Sequence, residues 1–221
     1  MKPLNVDLNE GKGLSSWVLA SLRKAILDGH FEPGEKLDQA LIASELSVSR
    51  TPIREALKVL ESEGFVEIHS YRGVNISKIT IEDIHNIYEI RWIIESEITR
   101  QATPLIPDAE LNRLEGLLKE NEYDHKSWGE RWHYEVDQEF HGTIMGFCQN
   151  KLFRIILGDL NNRIMRVRLF ALGQSGTHLE ISDNEHIDIL SAMKGHDAHK
   201  AARMMELHLR NSAARIEGYL K

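Results

Sequence analysis

Two groups of residues in this chain have types and spacings suited to chemistry. The first is Ser49-Arg50-Thr51-Pro52-Ile53-Arg54-Glu55-Ala56-Leu57-Lys58. Ser49 is a hydroxyl residue fit for an N-cap, and Pro52 falls in the first helical turn, where its missing N–H costs little. Ile53, Ala56, Leu57 and Leu60 recur at spacings of three and four, which makes one apolar face, and Arg50, Arg54 and Lys58 repeat every four residues on another. Arginines at the start of a short helix can meet base edges in a DNA groove, while the helix N-terminus favours phosphate. An ordinary amphipathic helix with solvated arginines shows the same pattern. The second group is Asp137-x-x-x-His141. Residues four apart on a helix lie about 40° from each other, so this carboxylate and imidazole can share a metal or form a surface pair. His186, beside Ile187, Ile189 and Leu190, and His208, near Met204, Met205, Leu207 and Leu209, have settings that could face a bundle interior. Each histidine alone reads first as an ordinary core or surface residue.

The elements around the first group decide its meaning. Trp17, Val18, Ala20, Leu22, Ala25, Ile26 and Leu27 form a helical pattern ending at Gly29. Pro33-Gly34 signals a turn, and Leu37 a short pairing segment. Asp38 can cap a second helix with Ala40, Leu41, Ala43 and Leu46 inward, and Ser47-Val48 makes a tight turn into the Arg50 helix. Two short helices joined by a tight turn, the second basic at its start, are a helix-turn-helix. After Glu63-Gly64 the period changes from helical to alternating, and Tyr71-Arg72-Gly73 falls between two strand-like runs. A hairpin directly after a helix-turn-helix is a wing, whose tip can reach phosphates or a minor groove.

Over about fifty positions these residues resemble the winged helix-turn-helix of GntR-type transcription regulators. The resemblance rests on Leu22-Arg23-x-Ala25-Ile26-Leu27-x-Gly29, on Pro33-Gly34-Glu35-x-Leu37, and on Val48-Ser49-Arg50-Thr51-Pro52-Ile53-Arg54-Glu55-Ala56-Leu57 with Leu60 and Gly64. It implies that Ser49, Arg50, Thr51 and Arg54 contact operator bases and phosphates. It also implies that the wing tip, Tyr71, Arg72 and Gly73, lies against the adjacent groove. Arginine suits this role because it pairs in bidentate fashion with guanine, worth roughly 1–3 kcal/mol of discrimination.

From Thr80 the pattern is helical to the end. Thr80-Ile81-Glu82-Asp83 resembles a capping box. Helices are expected from there through Ile98, over Leu111 to Leu118, about Ser127 to Phe147, Lys151 to Leu172, Ser182 to Lys194 and Asp197 to Tyr219, with a loop from Gly173 to Gly176. The order Asp137, His141, His186, His208, with Glu185-His186-x-x-Ile189-x-x-Ala192 and His208-Leu209, resembles the metal-binding form of the FadR-like (FCD) branch of the same family. That resemblance implies a metal site of Asp137, His141, His186 and His208. Three imidazoles and a carboxylate suit Zn²⁺, Ni²⁺ or another first-row divalent ion. It further implies that Arg91 binds effector, although an intrahelical pair with Glu95 is open to it too. Arg163 and Arg166 are further basic candidates. His133, His196 and His199 read as solvated or supporting residues, and Trp128 and Trp132 as core or interface.

The expected fold is therefore mainly α. A winged helix-turn-helix DNA-binding domain with a small β-hairpin wing spans residues 10–78, and an all-α antiparallel bundle of FCD type, for effector binding and dimerisation, spans 80–221. The chain of 221 residues has a net charge of −7, with 10 Lys and Arg against 11 Asp and Glu up to Lys78 and 17 against 23 beyond it. The acidic excess thus sits in the bundle, and DNA binding depends on local charge alone. Cys148 is the single cysteine, which excludes an intrachain disulfide and fits a reducing cytoplasm. Nothing resembles a signal peptide or membrane span. The expectation is a homodimeric repressor on a pseudo-palindromic DNA operator, controlled by a small carboxylate or sugar acid. The alternatives are a metal-dependent enzyme carrying a DNA-binding domain, and a regulator with a purely structural metal; no His-Glu-x-x-His or positioned general base supports the enzyme.

Overall fold

The computed structural model describes residues 13–124, 129–172 and 178–220, with side chains described outside 120–133, 169 and 172–180. The loop expected over Gly173 to Gly176 and the indole of Trp128 lie outside the described residues, as do the side chains of Trp132 and His133. The chain divides into two compact units, Met1–Ile79 and Thr80–Lys221.

The first unit holds helices α1 (Leu14–Leu27), α2 (Gln39–Glu45) and α3 (Arg50–Ser62), with strands β1 (Lys36–Leu37), β2 (Val66–His69) and β3 (Gly73–Ile76). Apolar spacing explains the packing: Val18, Leu22, Ile42, Ile53, Leu57, Leu60 and Phe65 are almost fully buried in one core. Asp38 caps α2 by accepting from the amides of Ala40 and Leu41. The cap sets the phase of this short helix, so Ile42, Ala43 and Leu46 turn inward and Leu41 stays exposed. Sequence spacing had placed Ala40 and Leu41 inside. Over seven residues the apolar positions are too few to fix which face is buried. The sheet order is β1-β3-β2, antiparallel throughout, with Leu37 opposite Val74 and His69 opposite Gly73. The Leu37 segment thus becomes a third strand beside the hairpin.

The second unit holds α4 (Ile81–Ala102), α5 (Asp108–Asp124), α6 (Gly129–Gly146), α7 (Lys151–Leu172), α8 (His178–Lys194) and α9 (Ala198–Gly218). Thr80 and Asp83 form the expected capping box of α4, and Asp197 caps α9 through the amide of Lys200. α9 packs along α4 and α8, and α6 and α7 pack on α4. Ile84, Ile98, Leu111, Leu114, Phe140, Ile189, Met193 and Leu209 fill the bundle core, and Cys148 is a buried free thiol. No helix among the described residues is long and apolar enough to cross a membrane.

Candidate metal centre and nucleic-acid interface

In the first unit, α3 buries Pro52, Ile53, Ala56, Leu57 and Leu60 and leaves Ser49, Arg50, Thr51 and Arg54 in solvent. Ser49 has the extended backbone of an N-cap, but its hydroxyl makes no capping bond. The first two turns of α3 therefore present hydroxyls, open helix amides and two guanidinium groups at one exposed end. Among the described residues neither arginine is drawn into an ion pair within the protein. At the hairpin, Tyr71 projects fully into solvent from a left-handed backbone, φ +64. Arg72 follows it, exposed. Gly73 sits at φ +102, where a side chain would be strained and its Cβ would meet Lys36 Cε at 3.0 Å.

The second unit brings Asp137, His141, His186 and His208 together from three helices, α6, α8 and α9. One ligand atom of each lies within 4.8 Å of the others. His186 Nε2 is 3.1 Å from His208 Nε2, and Asp137 Oδ1 lies 3.6 Å from His141 Nε2 and 3.7 Å from His186 Nε2. A first-row ion held at about 2.1 Å sets its donors roughly 3.0 to 4.2 Å apart, so the cluster needs little adjustment to accept one. Phe140 stacks on His186 with ring centroids 4.1 Å apart and fixes that imidazole in the core.

Three of the four donors, His208, His141 and Asp137, have charged groups behind them. His208 donates Nδ1–H to Glu185 Oε2 at 2.8 Å, which leaves Nε2 as a lone pair facing the cluster. Glu185 is held in turn by Asn211 and by both terminal nitrogens of Arg215, at 2.8 to 2.9 Å. His141 Nδ1 lies 2.7 Å from Glu95 Oε2. The ring is out of line for a hydrogen bond, so this contact is electrostatic. Glu95 Oε1 accepts from Arg91 Nε at 2.6 Å, and Asp137 Oδ2 lies 2.9 Å from an Arg168 terminal nitrogen. Carboxylates behind two of the three imidazoles are the support that metal-binding histidines use.

The charge states suit a cation. Burial lowers the His208 pKa to about 4, with Glu185 opposing and His141 assisting, so this imidazole is neutral and can ligate at neutral pH. Burial opposes ionisation of Asp137, but Arg168 and then His141 hold its carboxyl well below the usual range. Glu95 is likewise kept ionised against burial, chiefly by Arg91 and then His141. Glu185 is lowered to about 2, where burial is outweighed by hydrogen bonds from His208, Arg215 and Asn211.

A cavity of about 220 Å³ adjoins the cluster, walled by α4, α6, α7 and α9, with His141, Glu95 and Arg168 on its lining. Arg91 is buried and occupied, paired to Glu95 with its guanidinium carbon 4.6 Å from the Tyr88 ring centroid. Sequence reasoning considered Arg163 and Arg166 on α7 and missed Arg168. The signal was present: Leu157, Ile164 and Arg168 follow the spacing of one helix face, and Leu157 and Ile164 are buried, so the arginine falls on an inward stripe. Glu95 and Glu185 were visible only as neighbours of Arg91 and His186, because their roles depend on contacts between helices. His196 and His199 are exposed, as expected.

Residues 14–76 match the family of bacterial regulatory proteins called the gntR family, and residues 86–211, more than half of the chain, match the FCD domain. The chain belongs to the GntR family. It is a transcription regulator with an FCD domain behind its helix-turn-helix. It is 30% identical over 205 residues to the gluconate operon transcriptional repressor of Bacillus subtilis, covering 86% of this chain and 79% of that one. It is 28% identical over 202 residues to the HTH-type transcriptional regulator YdhC of the same organism, covering 90% and 89%. The solved structure of McbR/YncC from E. coli shares the fold, with a TM-score of 0.75, 18% identity, and coverage of 96% of this chain and all of that one. GntR regulators bind DNA operators and typically dimerise.

Proposed function

We propose that this GntR regulator is an operator-binding repressor whose grip on DNA is controlled by a small organic acid, bound beside a metal in the FCD domain. The observation that carries the proposal is the Asp137, His141, His186 and His208 cluster opening on a cavity lined by Arg168. The donor set and its spacing fit Zn²⁺ or Ni²⁺. Such an ion, when bound, would supply positive charge, and an ion that takes more than the four protein donors would also supply open coordination positions for an anion. Around the cavity the protein's own ionised groups, Arg91 and Arg168 against Glu95 and Asp137, cancel, so the added cation sets the sign and favours an acid. Arg168 already uses one terminal nitrogen on Asp137 and has further donors for a carboxylate. Arg91 contributes by holding Glu95, which lines the same cavity.

On the DNA side, Ser49, Arg50, Thr51 and Arg54 read the major groove, with Tyr71, Arg72 and Gly73 at the wing. One short helix reads too few base pairs alone, so a homodimer on a pseudo-palindromic operator in the cytoplasm follows. α7 offers a face for the second copy. Leu152, Ile155 and Ile156 are 66%, 56% and 43% exposed in one strip, and Gly158 beside them leaves open space for close approach. An antiparallel second α7 would bring Lys151 of each copy against Asp159 of the other. The effector acts by binding one arrangement of the dimer more tightly than another. No catalytic residue is assigned.

Selection of bound duplexes from a random pool tests the DNA reading, and an inverted repeat is the expected product. Titrating the selected duplex complex with small carboxylates, with Zn²⁺ present or chelated, tests the control. Release by an acid only when Zn²⁺ is present supports the proposal; enrichment of no inverted repeat, or a complex indifferent to every acid, sinks it.

A further inference from the structure

The chemistry of the cavity walls narrows the class of acid, given the reading above that the cavity takes one. Beyond Arg168, Glu95 and His141, the lining is dominated by Ile98, Ile144, Met145, Leu157, Ile164 and Met205. The polar groups in that part are few. The Thr99 hydroxyl is committed, donating to the Glu95 carbonyl at 2.7 Å. Asn161 is exposed. Gln138 is the one further carboxamide among the described lining residues. The cationic and ionised groups therefore gather at the end nearest the cluster, and the rest of the lining is mainly aliphatic, with Thr99, Gln138 and Asn161 as its neutral polar members.

We infer that the cavity takes a short monocarboxylate with an unsubstituted apolar tail, and discriminates against polyhydroxylated acids. The carboxylate sits at the Arg168 end and the tail runs between Ile98, Met145, Leu157, Ile164 and Met205. Each methylene placed there leaves water for aliphatic surface, which favours binding. Each hydroxyl placed along the aliphatic wall loses its water, and a buried polar group needs a hydrogen bond; the neutral polar groups of the lining are too few to serve every hydroxyl of a polyhydroxylated tail. Size agrees. A cavity of roughly 150 Å³ holds a six-carbon ring, so about 220 Å³ has room for roughly eight or nine non-hydrogen atoms by the same measure. That is the size of hexanoate, whereas a six-carbon sugar acid is larger and carries a hydroxyl on every tail carbon.

The test uses the full-length protein supplied with Zn²⁺, titrated by calorimetry and followed by thermal shift with acetate, hexanoate and gluconate. Hexanoate should bind at least tenfold more tightly than either of the others and give the largest rise in melting temperature. The Met145→Ser variant, altered at a half-buried wall position, should narrow the gap between hexanoate and acetate. Gluconate binding as tightly as hexanoate, or acetate matching it, overturns the inference while leaving an acid site in place. If none of the three binds, the acid reading of the cavity falls and this inference falls with it.

Discussion

Replacing Glu185 by Gln should weaken metal binding at a residue that would never touch the ion. Glu185 accepts Nδ1–H of His208 at 2.8 Å and is itself clamped by Asn211 and Arg215. Its charge makes His208 a stronger donor, and its fixed position aims Nε2 into the cluster. Glutamine keeps the size and an acceptor oxygen but removes the charge and the bidentate pair with Arg215. Partners of this kind are worth about 10–100-fold in metal affinity, or about 1.4–2.7 kcal/mol. Glu185 and Arg215 keep side-chain exposures of 18% and 17%, so water can solvate Arg215 after the change and the fold should survive. The lower half of the range, about 10–30-fold, is therefore expected. The assay is competition for Zn²⁺ against a chelator of known affinity, with circular dichroism to confirm an unchanged helical content. Affinity within twofold of the parent, in a folded variant, would refute the claim that Glu185 orients a metal ligand.

Four other perturbations separate the parts of the proposal. Arg54→Ala should lower operator affinity by about 10–100-fold without loss of metal or dimer, and unchanged affinity in a gel-shift titration removes α3 from the base-reading role. The double variant His186→Ala/His208→Ala should purify without bound metal; full metal content by elemental analysis refutes the ligand set. Arg91→Ala leaves Glu95 buried with Arg168 as the remaining guanidinium acting on it, and breaking a buried pair costs about 3–5 kcal/mol, which corresponds to a melting temperature lower by on the order of 10 °C. A melting temperature within two or three degrees of the parent would show that Arg91 and Glu95 do not act as a structural pair. Ile155→Asp with Ile156→Asp should convert the dimer to monomer in analytical ultracentrifugation, and a dimer of unchanged affinity excludes the α7 strip as the interface.

Much of the molecule is legible in its linear order, because the relevant interactions are local. Helix caps at Asp38, Thr80 and Asp197, the Gly73 turn and the apolar stripe of α3 each depend on residues within a turn of one another. The short string from Ser49 to Leu57 marks the family for the same reason: burial of one face and exposure of the other are both set by helical spacing. Asp137 and His141 were also readable, as two positions on one face of α6. Their meeting with His186 and His208 was not a matter of spacing; the family likeness implied it, and the packing of α6, α8 and α9 brings the four ligand atoms together. Local reading failed where phase was underdetermined, as on α2, with Leu41 exposed and Ile42 buried. The supporting charges are a matter of tertiary structure alone. Glu95 reaches His141 from α4, Arg168 reaches Asp137 from α7, and Glu185 on α8 joins His208 and Arg215 on α9. A side chain's partner across a helix interface is fixed by the rotation and axial position of two helices, and neither quantity is written in the order of residues along one of them.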